Sequence, residues 1–314
     1  MTVRTSVAPR SGDSDPSVDA PVFLVGPARS GTSLLYKVLC MHPEATYVSN
    51  WLSRYPGRTR LAALNRLPRT RPELQRSVWF GQDGANAYVY GRRRLVRERM
   101  FPMPVEGEPL FAACGIPVVG EPADGARSAE ALRTAVRRIG ASSGGSIFVN
   151  KRIANIRRIP FLAEAFPGAR FVALVRDGRA VALSLSSVDW WPTHEVAWYG
   201  GTPTRWAAEG RDPWELCARN WVEELEAMEE GLARVAPSRV LRLSYEELVD
   251  DPIRQLDAIA GFGGFTPDPD WHGRVEALSF PNRNERWRSA LDPEALATIE
   301  RVQELTLKEY GYEL

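Results

Sequence analysis

Short apolar runs alternate with amphipathic stretches along this chain and predict a sheet flanked by helices. The first apolar run covers residues 21–25, two central runs cover 146–149 and 170–175, and a later run covers 240–243. Strands that alternate with helices in this way favour parallel pairing with right-handed crossovers. The predicted helices span residues 31–41, 128–139, 153–166, 177–188, 213–235 and 292–310, with one more after 251–252.

Residues 50–127 depart from this pattern, because they are rich in proline, glycine and arginine and show weak periodicity. We interpret them as short helices and long irregular loops inserted between core elements, where residues that recognise a substrate are often found. Residues 1–19 are predicted to form a disordered tail, since they contain few apolar positions. No linker separates two apolar cores, so residues 20–314 are predicted to form a single domain.

A glycine-flanked loop follows the first predicted strand. From Gly26 to Ser33 it has the spacing of a phosphate-binding P-loop, G-x-x-x-x-G-K-[ST], but Thr32 occupies the lysine position. In triphosphatases and kinases that lysine reaches the terminal phosphates. The glycines and the helix N-terminus can still bind an anion through backbone N–H groups. The loop therefore predicts a phosphate-type site that does not require a triphosphate.

Two further strand ends carry candidate anion-binding residues. Lys151 follows the strand at 146–149, and Arg176 follows the strand at 170–175 with Ser184 eight residues further on. Ligands of open α/β sheets bind at the carboxyl ends of the strands, so we expect these side chains to lie near the glycine loop. Lys151 is one of only three lysines among 40 basic residues, which favours a specific role for it.

In this order and spacing, the motifs resemble those of the sulfotransferase family, which uses 3′-phosphoadenosine 5′-phosphosulfate (PAPS). The family's loop, P-[RK]-S-G-T-[TS], is matched by Pro27–Ser33 with one inserted residue, and its arginine and serine for the 3′-phosphate are matched by Arg176 and Ser184. The tyrosylprotein-type branch is the most similar in pattern. Its further motifs are matched by Asn150-Lys151, Tyr245–Val249, Trp287 and Gly311-Tyr312.

The resemblance implies a three-layer, P-loop-like α/β fold with a central parallel sheet, helices on both faces and long acceptor-binding insertions. It also implies an enzyme that transfers the sulfuryl group of PAPS to a hydroxyl and releases adenosine 3′,5′-bisphosphate (PAP), without a metal. Lys151 and Arg29 are then expected to stabilise charge on the leaving group. The residues expected to bind the donor are Arg29, Ser30, Gly31, Thr32, Ser33, Arg176, Ser184, Tyr245 and Arg286.

The general base is the point at which this chain departs from the resemblance. In the tyrosylprotein branch a glutamate lies eight residues after the histidine of a His-Pro pair, and counting from His42 leads to Asn50. Asparagine cannot accept a proton. The alternative candidates for the base are His194, in the loop after the helix at 177–188, and Glu121, after the apolar run at 116–119. A histidine ordinarily titrates in the range that suits a base. A loop position without catalytic role is equally compatible with each.

Six of the ten tryptophans fall within residues 190–221, which makes this stretch a second candidate site. We expect Trp190, Trp191 and Trp198 to stack against an acceptor, with residues 189–211 acting as a lid over it. The alternative is that these rings belong to the core. Deletion of the lid is expected to abolish transfer to the acceptor while sparing the donor nucleotide.

Composition narrows the remaining classes of function. A net charge of +1 gives no reason to expect nucleic-acid or membrane binding, and three widely spaced cysteines favour free thiols in the cytoplasm. Neither a signal peptide nor a membrane span is predicted. The expected acceptor is a small-molecule or glycoside hydroxyl, and the sequence does not predict an oligomeric state. The alternatives are a P-loop nucleotide kinase or triphosphatase and a catalytically degenerate nucleotide-binding protein.

Overall fold

The computed structural model of this protein describes residues 20–81 and 96–314, so the predicted tail at 1–19 lies outside the described residues. Within them, five strands form one parallel sheet in the order β2-β3-β1-β4-β5. The four predicted strands are confirmed to within two residues, and the two-residue strand β2 was too short to predict. The strands are β1 Val22–Val25, β2 Ala45–Thr46, β3 Ile147–Lys151, β4 Arg170–Val175 and β5 Val240–Ser244.

Sixteen α-helices lie in the described part of the chain, together with 3-10 helices at Thr59–Arg66, Trp191–Thr193, Pro237–Arg239 and Asn284–Arg286. The α-helices are α1 Thr32–Leu39, α2 Asn50–Arg54, α3 Leu67–Thr70, α4 Pro72–Phe80, α5 Val96–Met100, α6 Glu108–Ala113, α7 Gly125–Ser143, α8 Asn155–Ala165, α9 Gly178–Ser186, α10 Pro203–Ala208, α11 Pro213–Leu232, α12 Tyr245–Asp250, α13 Pro252–Gly263, α14 Pro269–Glu276, α15 Trp287–Ala290 and α16 Pro293–Glu309.

Helix α7 begins three residues before the predicted start because Asp124 caps it. The Asp124 carboxylate accepts a hydrogen bond of 3.0 Å from the N–H of Arg127, and such a cap satisfies one of the orphan donors of a helix N-terminus. Residues 50–81 and 96–124 contain short helices and loops, as predicted for the insertion.

Successive residues of β1 face two separate apolar cores, which explains why the strand is apolar throughout. Phe23 and Val25 pack with residues of α7, α8 and α11 on one face. Val22 and Leu24 pack with residues of α1, α4, α13 and α14 on the other face. Burial of each of these side chains contributes about 1.5–3 kcal/mol. The fold is therefore the predicted three-layer arrangement of helix, sheet and helix.

A third apolar cluster lies beside the glycine loop rather than under the sheet. It contains Trp191 and Trp206, residues of α9 and α11, and Ala28 of the loop itself. Segment 189–211 is thus packed against the loop that follows β1. None of the helices in the described ranges is long and apolar enough to cross a bilayer.

Candidate active site

Two glycines allow the loop between β1 and α1 to lie against neighbouring elements. A Cβ at Gly26 would lie 2.3 Å from the carbonyl oxygen of Leu174 on β4. Gly31 has a φ of 92°, and a Cβ there would lie 2.6 Å from Cδ2 of Tyr245. Gly31 also precedes α1, whose first N–H groups have no partner within the helix. The loop therefore offers an open backbone cradle of the kind that binds anions.

Arg29, at the tip of this loop, has a left-handed backbone with a φ of 71°. This conformation is uncommon for a residue with a side chain and persists where surrounding contacts hold it. Here Arg176 donates a hydrogen bond of 3.1 Å to the carbonyl of Arg29, and Nε of Arg29 donates one of 2.9 Å to Ser184 Oγ. The two strand-end motifs predicted to be neighbours are therefore in direct contact.

Ser30 supplies a buried hydroxyl at the base of the loop. The residue is fully buried, and its side-chain oxygen has no hydrogen-bond partner within the described ranges. Its N–H donates to the carbonyl of Pro27 at 3.3 Å. A buried polar group without a partner is unfavourable, so this hydroxyl fits a site that a polar ligand completes.

Arg176 is a buried cation whose partners are all neutral. Its guanidinium donates to Asn284 Oδ1 at 3.1 Å and to the carbonyls of Arg29 and Arg283 at 3.1 and 3.0 Å. The group lies 4.3 Å from the centre of the Tyr245 ring. Burial lowers the pKa of Arg176 from its usual value. The charges of Glu246 and Asp177 act on it from beyond ion-pair distance. A buried charge without a close counter-charge is costly, and a bound anion would relieve that cost.

These groups line one cavity of about 340 Å³ at the carboxyl edge of the sheet. Ser30 lies buried in the loop beside it. The cavity brings together eight residues that the sequence predicts for donor binding, namely Arg29, Gly31, Thr32, Ser33, Arg176, Ser184, Tyr245 and Arg286. It also includes Arg283, a further candidate for contact with the donor phosphate, and residues that the sequence did not single out, namely Leu34, Ala180, Leu183, Ser187, Pro281 and Ala290.

The segment that closes this cavity from the C-terminal side was the least predictable part of the site. Asn284 is 6% exposed and holds Nε of Arg176 through its side-chain oxygen. The side chain of Asn282 accepts from the N–H of Asn284 at 2.9 Å and so fixes the turn. Two asparagines two positions apart indicate a turn, which was the one available signal, but no spacing connects that turn to Arg176.

Lys151 lies at the end of β3 and outside the lining of the cavity. Its strand partner in β1 is Leu24, which places it one strand away from the glycine loop. The ammonium group donates to Glu106 Oε1 at 2.5 Å, and Arg152 Nη1 donates to Glu106 Oε2 at 2.6 Å. Lys151 is therefore paired with a carboxylate that the sequence analysis did not consider.

Asn50, in the place expected for the catalytic glutamate, has a structural role. Its side-chain nitrogen donates to the carbonyls of Arg99 and Phe101, both at 3.1 Å. Its side-chain oxygen accepts from the N–H groups of Trp51 and Met103 at 3.1 and 3.2 Å. The amide thus uses donor and acceptor together to hold the chain that leads towards Glu106, and a carboxylate could not make both kinds of contact.

The two predicted candidates for the base differ in their surroundings. His194 is half-buried between the rings of Trp190 and Trp191, with centroids 5.1 and 5.8 Å away. Burial lowers its pKa, and the charge of Arg152 lowers it further. Glu121 is exposed and does not line the cavity. Both assignments stay predictions.

The tryptophan segment is packed rather than open, which corrects part of the lid hypothesis. Trp191 is 5% exposed and Trp206 is fully buried, so the ring of Trp191 is a core side chain and does not offer a face to an acceptor. Trp190 and Trp198 are half-buried, and Trp198 packs against Trp206 at 5.9 Å between centroids. Because Ala28 belongs to the same cluster, deletion of 189–211 is now expected to disturb the donor loop as well.

The sequence profile of the Sulfotransferase family matches residues 21–269, which is most of the chain. Among solved structures, the chain is similar to sulfotransferase STF9 from Mycobacterium avium, with 16% identity, 95% of this chain and 78% of that chain covered, and a TM-score of 0.60. It is also similar to sulfotransferase STF1 from Mycobacterium tuberculosis H37Rv, with 17% identity, coverage of 92% and 78%, and a TM-score of 0.54. At these identities the two structures support the fold.

The chain belongs to the sulfotransferase family. It is a PAPS-dependent sulfotransferase with a P-loop-like fold, and the predictions of family, fold, enzyme class and donor are confirmed. The kinase alternative is accordingly set aside. The acceptor and the role of each site residue go beyond this assignment.

Proposed function

We propose that the 340 Å³ cavity binds PAPS, with the loop Arg29–Ser33 around the 5′-phosphosulfate and Arg176 with Ser184 at the 3′-phosphate. The observation that carries this proposal is the buried guanidinium of Arg176, which has no carboxylate within 4.0 Å in the described ranges and opens onto the same cavity as the glycine loop. An anion is the ligand that such a site favours.

The residues present fit a donor of this kind. The loop offers the backbone cradle at Gly31 and the unpartnered hydroxyl of Ser30, while Arg283 and Arg286 line the outer wall. PAPS supplies a sulfuryl group attached to a phosphate that leaves readily. Thr32 takes the place of the lysine that would contact a third phosphate, so the cavity is suited to a donor without one.

We assign Lys151 to the stabilisation of charge on the departing phosphate, since it lies at the strand end next to the loop. Positioning and charge stabilisation dominate transfers of this type. The acceptor in this proposal is a hydroxyl of a small molecule or a glycoside, and the half-buried rings of Trp190 and Trp198 are available to contact it. We also propose that the enzyme acts in the cytoplasm. Its three buried free cysteines, Cys40, Cys114 and Cys217, support this location, because free thiols are typical of a reducing compartment.

Calorimetry with PAP, ADP and ATP tests the donor site. PAP is expected to bind best and without magnesium, because among the three it alone carries the 3′-phosphate that Arg176 is proposed to bind. Arg176→Ala should weaken PAP binding by about 1.5–3 kcal/mol, or about tenfold to a hundredfold, and ADP binding much less. Arg288→Ala is the matched control, since Arg288 is exposed on the same segment and does not line the cavity.

ATP binding that requires magnesium and exceeds PAP binding would overturn the assignment of the cavity. An equal loss of PAP and ADP affinity in Arg176→Ala would instead show that Arg176 acts only by holding the loop. A loss of PAP affinity in Arg288→Ala would argue for general electrostatic attraction rather than a defined site.

A further inference from the structure

The carboxylate of Glu106 is fixed at the functional edge of the sheet by three consecutive residues of the β3 end. Asn150 donates from its side chain to the Glu106 carbonyl at 3.2 Å, and Lys151 and Arg152 each bind one carboxylate oxygen. Both the backbone and the side chain of Glu106 are thus held in place. The side chain is still 26% exposed, so solvent can reach it.

Glu106 contacts the end of β3 and lies near the tryptophan segment. On one side, β3 pairs with β1, which leads directly into the glycine loop. On the other side, His194 of the tryptophan segment is close enough to Glu106 and Arg152 for their charges to shift its pKa in opposite directions. An acceptor hydroxyl that reaches Glu106 would therefore also lie near His194 and the end of β3.

The chain around Asn50 delivers Glu106 to this location. Asn50 and Met103 are joined by a backbone hydrogen bond of 3.0 Å, and Val105 donates to the carbonyl of Val48 at 2.9 Å. Ser49 and Pro104 form an antiparallel bridge between these bonds. The segment that carries Glu106 is thus anchored beside Asn50, the position where the resemblance leads one to expect a glutamate.

Glu106 also keeps the capacity to accept a further hydrogen bond, whereas its neighbour Glu108 does not to the same extent. Each oxygen of Glu106 accepts one bond, out of about four acceptor sites on a carboxylate. Glu108 accepts two bonds from Arg158 and one from Arg152. Burial raises the pKa of Glu106, but the charges of Lys151 and Arg152 outweigh it and hold the pKa below its usual value. The group is therefore ionised at neutral pH.

We propose that Glu106 is the general base of this sulfotransferase and accepts the proton of the acceptor hydroxyl, in place of the glutamate that Asn50 has replaced. The inference rests on the proposed donor site. The acceptor oxygen forms a bond to sulfur while the bond from sulfur to the 5′-phosphate oxygen breaks, its electron pair stays on that phosphate, and the hydroxyl proton moves to the Glu106 carboxylate.

This assignment gives the ion pair with Lys151 a function. While Glu106 is ionised, its charge neutralises the ammonium group at 2.5 Å. Once the carboxylate takes up a proton, the charge of Lys151 is no longer neutralised by it. The positive charge then becomes available as negative charge develops on the departing phosphate, which is when it stabilises the transition state most.

The experiment compares Glu106→Gln with the wild type over a series of acceptors that differ in acidity. The series contains water, measured as hydrolysis of PAPS, then phenol, and finally 4-nitrophenol, which is largely ionised in mildly alkaline buffer. For water and phenol, loss of the base should lower the rate by about 10²–10⁴-fold. For 4-nitrophenol the loss should be far smaller, since no proton remains to be removed.

Three controls separate a base from a structural residue. Glu108→Gln removes the neighbouring carboxylate of the same ion network and should affect all acceptors alike. His194→Asn tests the alternative base. PAP calorimetry and thermal unfolding of each variant establish that the donor site is intact, and Glu106→Asp, which keeps the carboxylate, should regain part of the rate if Glu106→Gln folds poorly.

An equal loss for all acceptors in Glu106→Gln, or an acidity-dependent loss in His194→Asn but not in Glu106→Gln, would overturn the assignment while leaving the donor site standing. A wild-type protein that binds PAP but neither hydrolyses PAPS nor transfers to a phenol would overturn it as well. A wild-type protein that does not bind PAP would instead contradict the proposed donor site.

Discussion

Two groups of buried cations lie at the carboxyl edge of the sheet, and they differ in how their charge is balanced. After β4, Arg176 contacts an amide and two carbonyls. After β3, Lys151, Arg152 and Arg158 are each paired with Glu106 or Glu108. One group retains a charge that a ligand can neutralise, whereas the other uses its charge to keep carboxylates ionised.

The contrast shows how a chain with a net charge of +1 can present a buried cation without a direct ion pair to a cavity. The number of arginines decides little, because most of the buried ones have acidic partners. Arg179 illustrates this: it follows Arg176 by three residues, yet it is bound by Asp177 and Glu300. What distinguishes a binding cation is that its partners are neutral.

Removal of a paired cation should have the largest effect on stability. Arg158 is 4% exposed and binds Glu108 through two bonds, so Arg158→Met leaves a partly buried carboxylate with one partner fewer. We expect the free energy of unfolding to fall by about 3 kcal/mol, measured by urea titration, with little change in PAP affinity. In a double-mutant cycle, Glu108→Gln should recover part of the loss; additive losses would contradict the pairing.

Removal of Arg176, which makes no direct ion pair, should affect PAP binding more than stability. Arg176→Met loses three hydrogen bonds but also removes a buried charge that makes no direct ion pair, so these contributions partly offset each other. We expect a loss of about 1–2 kcal/mol in the ligand-free protein, smaller than that of Arg158→Met. At one fixed concentration, PAP should raise the thermal midpoint of the wild type clearly more than that of the variant, because the variant binds PAP more weakly. A larger loss of unfolding free energy in Arg176→Met than in Arg158→Met would contradict the distinction between the two groups of cations.

Acid should weaken the paired group. The ionised form of Glu106 stabilises the fold above its ordinary pKa of about 4.3, and this contribution is lost as the pH falls through the lowered pKa that Lys151 and Arg152 impose. Urea titrations at a series of pH values should show wild type and Glu106→Gln converging as the pH falls below that ordinary value. If the free energies of unfolding of the two proteins instead differed by the same amount at every pH, protonation of Glu106 would not be coupled to unfolding.

An exposed pair should have the smallest effect. Arg288 and Glu285 form an ion pair in which both side chains are largely exposed, 62% and 64%. We expect Arg288→Ala to change the free energy of unfolding by less than about 1 kcal/mol, as measured by urea titration. A clearly larger change would assign Arg288 a packing role against Trp287, whose ring lies 4.5 Å away.

The parts of the site that were predictable lie within contiguous segments that the strand pattern brings together. Gly26–Ser33 follows β1, Arg176 follows β4, and Ser184 lies on the next helix, so the order of the elements was sufficient to place them. Their arrangement around one cavity was expected because parallel strands end at the same edge.

Glu106 could not be found in this way, because it lies in the irregular insertion. Its location depends on the pairing of residues 103–105 with 48–50 and on the amide of Asn50, and neither has a periodicity in the sequence. The burial of Trp191 was unpredictable for a similar reason. A tryptophan in an irregular stretch is compatible with either a packed or an open ring until the surrounding chain is placed.

Ala28, the residue inserted in the glycine loop relative to the family motif, packs in the cluster of Trp191 and Trp206 and is 6% exposed. It is absent from the cavity lining. Substitution of Ala28 by a series of progressively larger side chains should push the glycine loop away from the aromatic rings by increasing amounts. Such substitutions would shift the glycine loop from the side opposite the cavity, without changing any residue that lines it.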